Sequence, residues 1–132
     1  MRIRYFTLFL CLLLIGCTNK FSYSLDRNDI LSIEIIEIDY DQPNLVYTTI
    51  YTLDENEIDD FIDNFSKVKF MKVYGDPHGF DGKCILIRYI NNDFEIIGQK
   101  YIERRNINNE VVSWHYYHAD KNQFDELINI YN

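Results

Sequence analysis

The chain has 132 residues, 21 of them acidic against 13 Lys or Arg, for a formal net charge of −8. That balance argues against nucleic-acid binding, which depends on cationic side chains displacing counterions from phosphate. Hydrophobic residues make up 47% of the chain and aromatics 16%, enough for a hydrophobic core that needs no disulfide framework.

In chain order, residues 1–16 have the three parts of an export signal: Arg2 and Arg4, an apolar run over 5–15, and small Gly16. The run is well short of the roughly 20 residues of a membrane-spanning helix. The tetrapeptide Leu14-Ile15-Gly16-Cys17 resembles the lipobox of bacterial lipoproteins. That resemblance implies a diacylglyceryl group on the Cys17 thiol and cleavage before it. Two acyl chains, at about 0.8 kcal/mol per buried CH₂, anchor a protein stably. The address implied is the cell envelope, on the outer side of the cytoplasmic membrane or in the outer membrane. Thr18 stands where Asp would resemble an inner-membrane retention signal.

Residues 17–28 are polar and read as a lipidated tether, reaching at most about 40 Å when stretched. The single domain expected over 29–132 is too short to divide in two. Loss of Arg2 and Arg4 leaves 11 basic residues against 21 acidic, a net charge of −10. Six acids fall in 54–63, whereas Lys83, Arg88, Lys100, Arg104 and Arg105 cluster later. With Cys11 removed and Cys17 lipidated, Cys84 is the remaining thiol.

Strands are predicted over 31–40 and 45–53, where β-branched and aromatic residues concentrate. In the first, the alternation changes phase at Ile35-Ile36, which a β-bulge would reconcile with one core. A helix follows over 54–65: Asp54 caps it, Glu57 completes a capping box, and Ile58, Phe61, Ile62 and Phe65 form one stripe. Strands at 68–74 and 83–90 flank the turn-rich "GDPHGFDG", and "INND" reads as a tight turn before a strand over 94–104. A strand over 111–119 and a helix over 120–131 close the chain, the latter with Asp120, Gln123 and the stripe Phe124, Leu127, Ile128 and Tyr131. Segments 31–65 and 94–131 echo each other as strand, strand, helix, consistent with internal duplication. The expected class is α+β, in the order ββαββββα: a mainly antiparallel sheet of about six strands with both helices on one face and the other face partly open.

The candidate binding residues come from that sheet and one loop. Tyr47 and Tyr51 share a face of their strand by spacing, as do His115 and Tyr117; tyrosine rings with polar tips suit a protein or peptide partner. The 74–82 loop could gather Asp76, His78 and Asp81, but Phe80 occupies a calcium-loop ligand position and no Glu closes the motif. His115 and His118 point to opposite faces of a strand, against a metal pair. Cys84 sits in an apolar run, the setting of a structural thiol. No nucleophile elbow, phosphate loop or metal motif appears, so no catalytic residue and no cofactor are assigned.

The centre "VKFMKVYGDPHGFDGKCILIRYINNDFEIIGQKY" and the closing "YHADKNQFDELINIY" resemble the small uncharacterised lipoproteins of low-GC bacteria, families with no catalytic residues to carry over. The function expected is a non-enzymatic, membrane-anchored protein-binding or accessory module. Its partner would be another envelope protein or an incoming one, the latter making it an immunity or inhibitor protein. The alternative is an envelope enzyme or small-ligand binder built on the 74–82 loop.

Overall fold

The computed structural model describes residues 19–40, 45–75 and 79–132. Its centre is an antiparallel pair of apolar strands, β2 (Ile30–Tyr40) and β5 (Lys83–Tyr89). Around them β3 (Val46–Thr52), β6 (Phe94–Ile97), β7 (Ile102–Arg105) and β8 (Val111–His115) complete a six-stranded antiparallel sheet in the order β3-β2-β5-β6-β7-β8. The turn after β5 is tight, as its sequence implies. Asn92 takes φ 69, and Asn91 Oδ1 accepts from the Asp93 N–H at 3.0 Å.

A second layer covers one face. It contains α1 (Ile58–Phe65), α2 (Lys121–Ile130) and a small antiparallel sheet of β1 (Lys20–Ser22), β4 (Lys69–Lys72) and β9 (Tyr117–Ala119) in the order β1-β4-β9. Both helices bury the stripes expected of them: Ile58, Phe61 and Phe65 from α1 and Phe124, Leu127 and Ile128 from α2 meet Ile33, Ile35, Ile85, Ile87 and Ile97 of the large sheet. Ahead of α1, a 3₁₀ turn at Glu55–Glu57 follows Asp54, whose N–H donates to Glu57 Oε2 at 2.8 Å. At α2 the Asp120 carboxylate accepts from the Gln123 N–H at 3.1 Å. Gln123 does not close a second capping box. Its Oε1 instead accepts from the Lys69 N–H at 2.8 Å, tying the start of α2 to β4.

Four expectations are corrected. Residues 20–25, expected within a polar tether, are instead part of the fold, because Lys20–Ser22 pairs with β4 and Phe21, Tyr23 and Leu25 pack against the core. The apolar run at 94–104 is two strands: the Gly98 N–H donates to Tyr101 O at 2.8 Å and turns the chain. The run at 111–119 also divides, with β8 in the large sheet and β9 in the small one. The two ββα segments therefore pair their strands differently. Finally, the bulge lies at Ile35-Ile36, but its extra residue is Ile50 of the neighbouring strand: Ile35 faces Tyr51 and Ile36 faces Thr49. Nor does it unite one core, since Ile36 packs with Cys84, Leu86 and Ile96 on the opposite side of the sheet.

Gly98 marks the tightest point of this opposite side. A Cβ there would stand 3.2 Å from the Phe80 ring and from Tyr101 O, and 3.4 Å from Cys84 Sγ. Gly98→Ala is expected to destabilise the chain by about 1–3 kcal/mol, read as a lower urea midpoint with unchanged slope.

Candidate functional site

The bulge separates the tyrosines that the sequence places together. Tyr51 lies on the helix-covered face, its hydroxyl donating to the Glu57 carboxylate at 2.8 and 3.0 Å. Tyr47 lies on the other face, where its hydroxyl accepts from Arg88 Nη2 at 3.0 Å and Arg88 Nε donates to Glu34 Oε1 at 3.0 Å. That other face is not open at its centre. Ile36, Cys84, Leu86 and Ile96 are buried, with Ile38, Leu45, Tyr47, Phe80 and Phe94 packed over them. An apolar strand pair needs cover on both sides, and large neighbouring side chains supply it.

Exposure moves instead to the edge of the sheet. On β8, an edge strand, Val111, Val112 and Trp114 are exposed, Trp114 by 51%. Where β8 ends and β9 crosses to the small sheet, Lys72, Val73, Tyr74, Gly75, Trp114, His115, Tyr116 and Tyr117 line a cleft of about 310 Å³. The Val73 N–H donates to Tyr116 O at 3.0 Å, which fixes the crossing against the end of β4. His115 stacks on Tyr117 with centroids 4.8 Å apart, and Tyr117 packs edge-on against Phe21. Lys72 Nζ stands 5.7 Å from the centroid of Tyr74, a ring that is 86% exposed. Gly75 has φ +141, a conformation L side chains rarely adopt, and it lets the chain turn beside Tyr116. The cleft thus joins two sequence candidates, His115 and Tyr117, with the start of the 74–82 loop. Its aromatic faces, one lysine and one imidazole suit recognition of a peptide or side chain.

Asp76 and His78, like Cys17, lie outside the described residues. Asp81, at the far end of the loop, lines a different and more polar cleft of about 430 Å³ with Lys83, Gln99, Lys121 and Asp125. Lys121 is paired with Asp125. His115 and His118 belong to strands of different sheets, His118 opposite Met71 of β4 and His115 opposite Ile102 of β7. No group of three or more His, Cys, Asp or Glu side chains among the described residues is arranged to hold a metal. Burial pushes the Cys84 thiol up to about 12, so it stays protonated and weakly nucleophilic.

Trp114 was the main residue the strand pattern did not single out, because an apolar side chain at an edge reads like one in a core. A second omission is Glu95, buried on the helix-covered side, where its carboxylate accepts from the Tyr23 and Tyr89 hydroxyls at 3.0 and 3.2 Å. Arg104 lies over the Tyr89 ring, 4.3 Å from its centroid. Burial and the Glu95 carboxylate raise both tyrosines, so they remain donors. The signal was the alternation of β6 itself, which turns Glu95 to the same face as Ile97. No family model, curated protein or solved structure matches the chain.

Burial also raises Glu95 above its ordinary 4.5, outweighing the two hydroxyls and Arg104. Between 4.5 and the higher folded value the native chain binds more protons than the unfolded one, so this group's contribution to stability declines as pH rises. Wild type should therefore gain stability relative to Glu95→Gln as pH is lowered toward about 4.5. Thermal melts of both across that range test this, and parallel profiles would refute it.

Proposed function

We propose that the chain is a lipid-anchored cell-envelope lipoprotein whose domain binds another protein without catalysing a reaction. The observation that carries this reading is the exposed apolar edge of β8 running into the aromatic cleft. Val111, Val112 and Trp114 face solvent along β8, and Trp114 lines the cleft together with Tyr74 and Tyr116. Exposed aromatics grouped at a concavity are characteristic of binding hot spots, and an unpaired strand edge offers main-chain hydrogen bonds to an added strand. The partner class is an envelope protein or an incoming one, and an acidic domain inhibiting a basic toxin or hydrolase is the narrower form.

The anchor is the Leu14-Ile15-Gly16-Cys17 lipobox. Cys17→Ala should abolish incorporation of labelled lipid and slow removal of residues 1–16, both read on the intact chain by mass spectrometry. Unchanged mass in the two proteins would remove the address.

For the binding surface, the informative experiment is crosslinking and pull-down from the native envelope with wild type, Trp114→Ala and Val112→Lys. Both positions are exposed, so the fold should survive, which circular dichroism verifies. Capture of one specific partner should drop by about tenfold or more in each variant. Equal capture by all three would exclude this surface and shift attention to the polar cleft at Asp81, where a small-ligand binder would keep its site.

A further inference from the structure

The basic residues divide into two sets. Arg27, Arg88, Arg104, Arg105 and Lys121 are each paired with a carboxylate, so the positive run after residue 83 is largely neutralised within the fold. Six lysines have no carboxylate partner among the described residues: Lys67 and Lys83 donate to the Asn64 and Asn132 side chains, Lys72 stands beside the Tyr74 ring, and the other three, Lys20, Lys69 and Lys100, are exposed. These three gather on one surface. In the small sheet Lys20 lies opposite Met71, Met71 opposite His118, and Ser22 opposite Lys69, whose Nζ donates to Ser22 Oγ at 2.9 Å. Phe70 and Ala119, on the other side of these strands, are in the core, so Lys20, Lys69, Met71 and His118 share the outer face. Lys100 adjoins it: Ala119 N donates to Gln99 O at 2.7 Å, and His118 is held below its usual value by burial and by the Lys100 charge. The carboxylate nearest in sequence, Asp120, is engaged by the Gln123 N–H of α2.

Chain length decides what meets this face. Only Thr18 and Asn19 separate Lys20 from Cys17, a span of at most about 11 Å. A domain tied so closely cannot turn freely, and one of its surfaces must lie against the bilayer. An acidic protein has few surfaces that an anionic lipid layer would attract, and Met71, exposed in the middle of the lysines, adds apolar contact.

We propose that the outer face of the small sheet, with Lys20, Lys69 and Lys100 around Met71, docks on the anionic phospholipid headgroups of the membrane that holds Cys17. This rests on the lipid-anchored reading above. The negative surface potential draws lysines near the headgroups and decays within a Debye length, so the contact weakens in salt.

The test is lysine footprinting of the full-length, membrane-extracted protein in vesicles of phosphatidylcholine alone or mixed equally with phosphatidylglycerol. An amine-acylating reagent is used, and each lysine is read by mass spectrometry. Labelling of Lys20, Lys69 and Lys100 relative to Lys83 should slow by about fivefold in the anionic vesicles and recover in high salt. In a Lys69→Glu/Lys100→Glu variant, protection of Lys20 should disappear. Equal rates in both vesicle types, in a chain whose Cys17 carries the diacylglyceryl mass, would overturn the docking face and leave the anchor standing. Protection in a chain lacking that mass would support the face and overturn the anchor. Absence of both would overturn the two together.

Discussion

The rest of the structure depends on two central strands that are apolar on both sides. Along β2, Ile33 and Ile35 face the helices while Ile36 faces away; along β5, Ile85 and Ile87 alternate with Cys84 and Leu86 in the same manner. A strand pair of this kind cannot have a solvated face, so the chain must cover it twice. The helices and the small sheet cover one side with Phe61, Phe65, Phe70 and Phe124. The second cover is thinner, made of Phe80 with Tyr47, Phe94 and their neighbours. Its thinness explains Gly98: with the chain turning directly under Phe80 and beside Cys84, there is little room for a Cβ.

Much of the fold was legible because it rests on period and capping. The stripes of α1 and α2 could be read directly, and so could the Asp120 cap, the Asp54 start of the turn ahead of α1 and the α+β class. What escaped was strand pairing. A two-residue period says which side chains share a face only while the ladder is regular, and the extra Ile50 reverses the relation between Tyr47 and Tyr51. Runs such as 94–104 and 111–119 have strand composition throughout. The first breaks at a local turn, Gly98 N–H to Tyr101 O, that strand composition hides, and the second at Tyr116, whose carbonyl accepts from the Val73 N–H far away in sequence. Phase alone cannot tell an edge from a centre either, which is why neither the exposed Trp114 nor the buried Glu95 stood out. The aromatic cleft was half visible, through His115 and Tyr117. What assembled it was the passage of one apolar run from the large sheet to the small one.

The same passage links the proposed anchor to the proposed binding surface. In the antiparallel pair of β1 and β4, Lys20 lies opposite Met71, so the chain leading back toward Cys17 runs in the direction in which β4 continues to Val73, Tyr74 and Gly75. The aromatic cleft therefore lies at the end of the small sheet from which the chain leads back through Asn19. On the lipid-anchored reading, a tether of two residues keeps that end at the headgroups, and Tyr74 can serve both the rim of the cleft and the membrane interface, a level that tyrosine favours. A partner reaching the cleft must then approach along the membrane surface, in two dimensions. The proposed anchor would supply an effective concentration that the cleft alone would not. On that reading a few strong contacts in a cleft of about 310 Å³ would suffice to hold a membrane-borne partner, and the unpaired edge of β8 beside it would offer that partner main-chain hydrogen bonds.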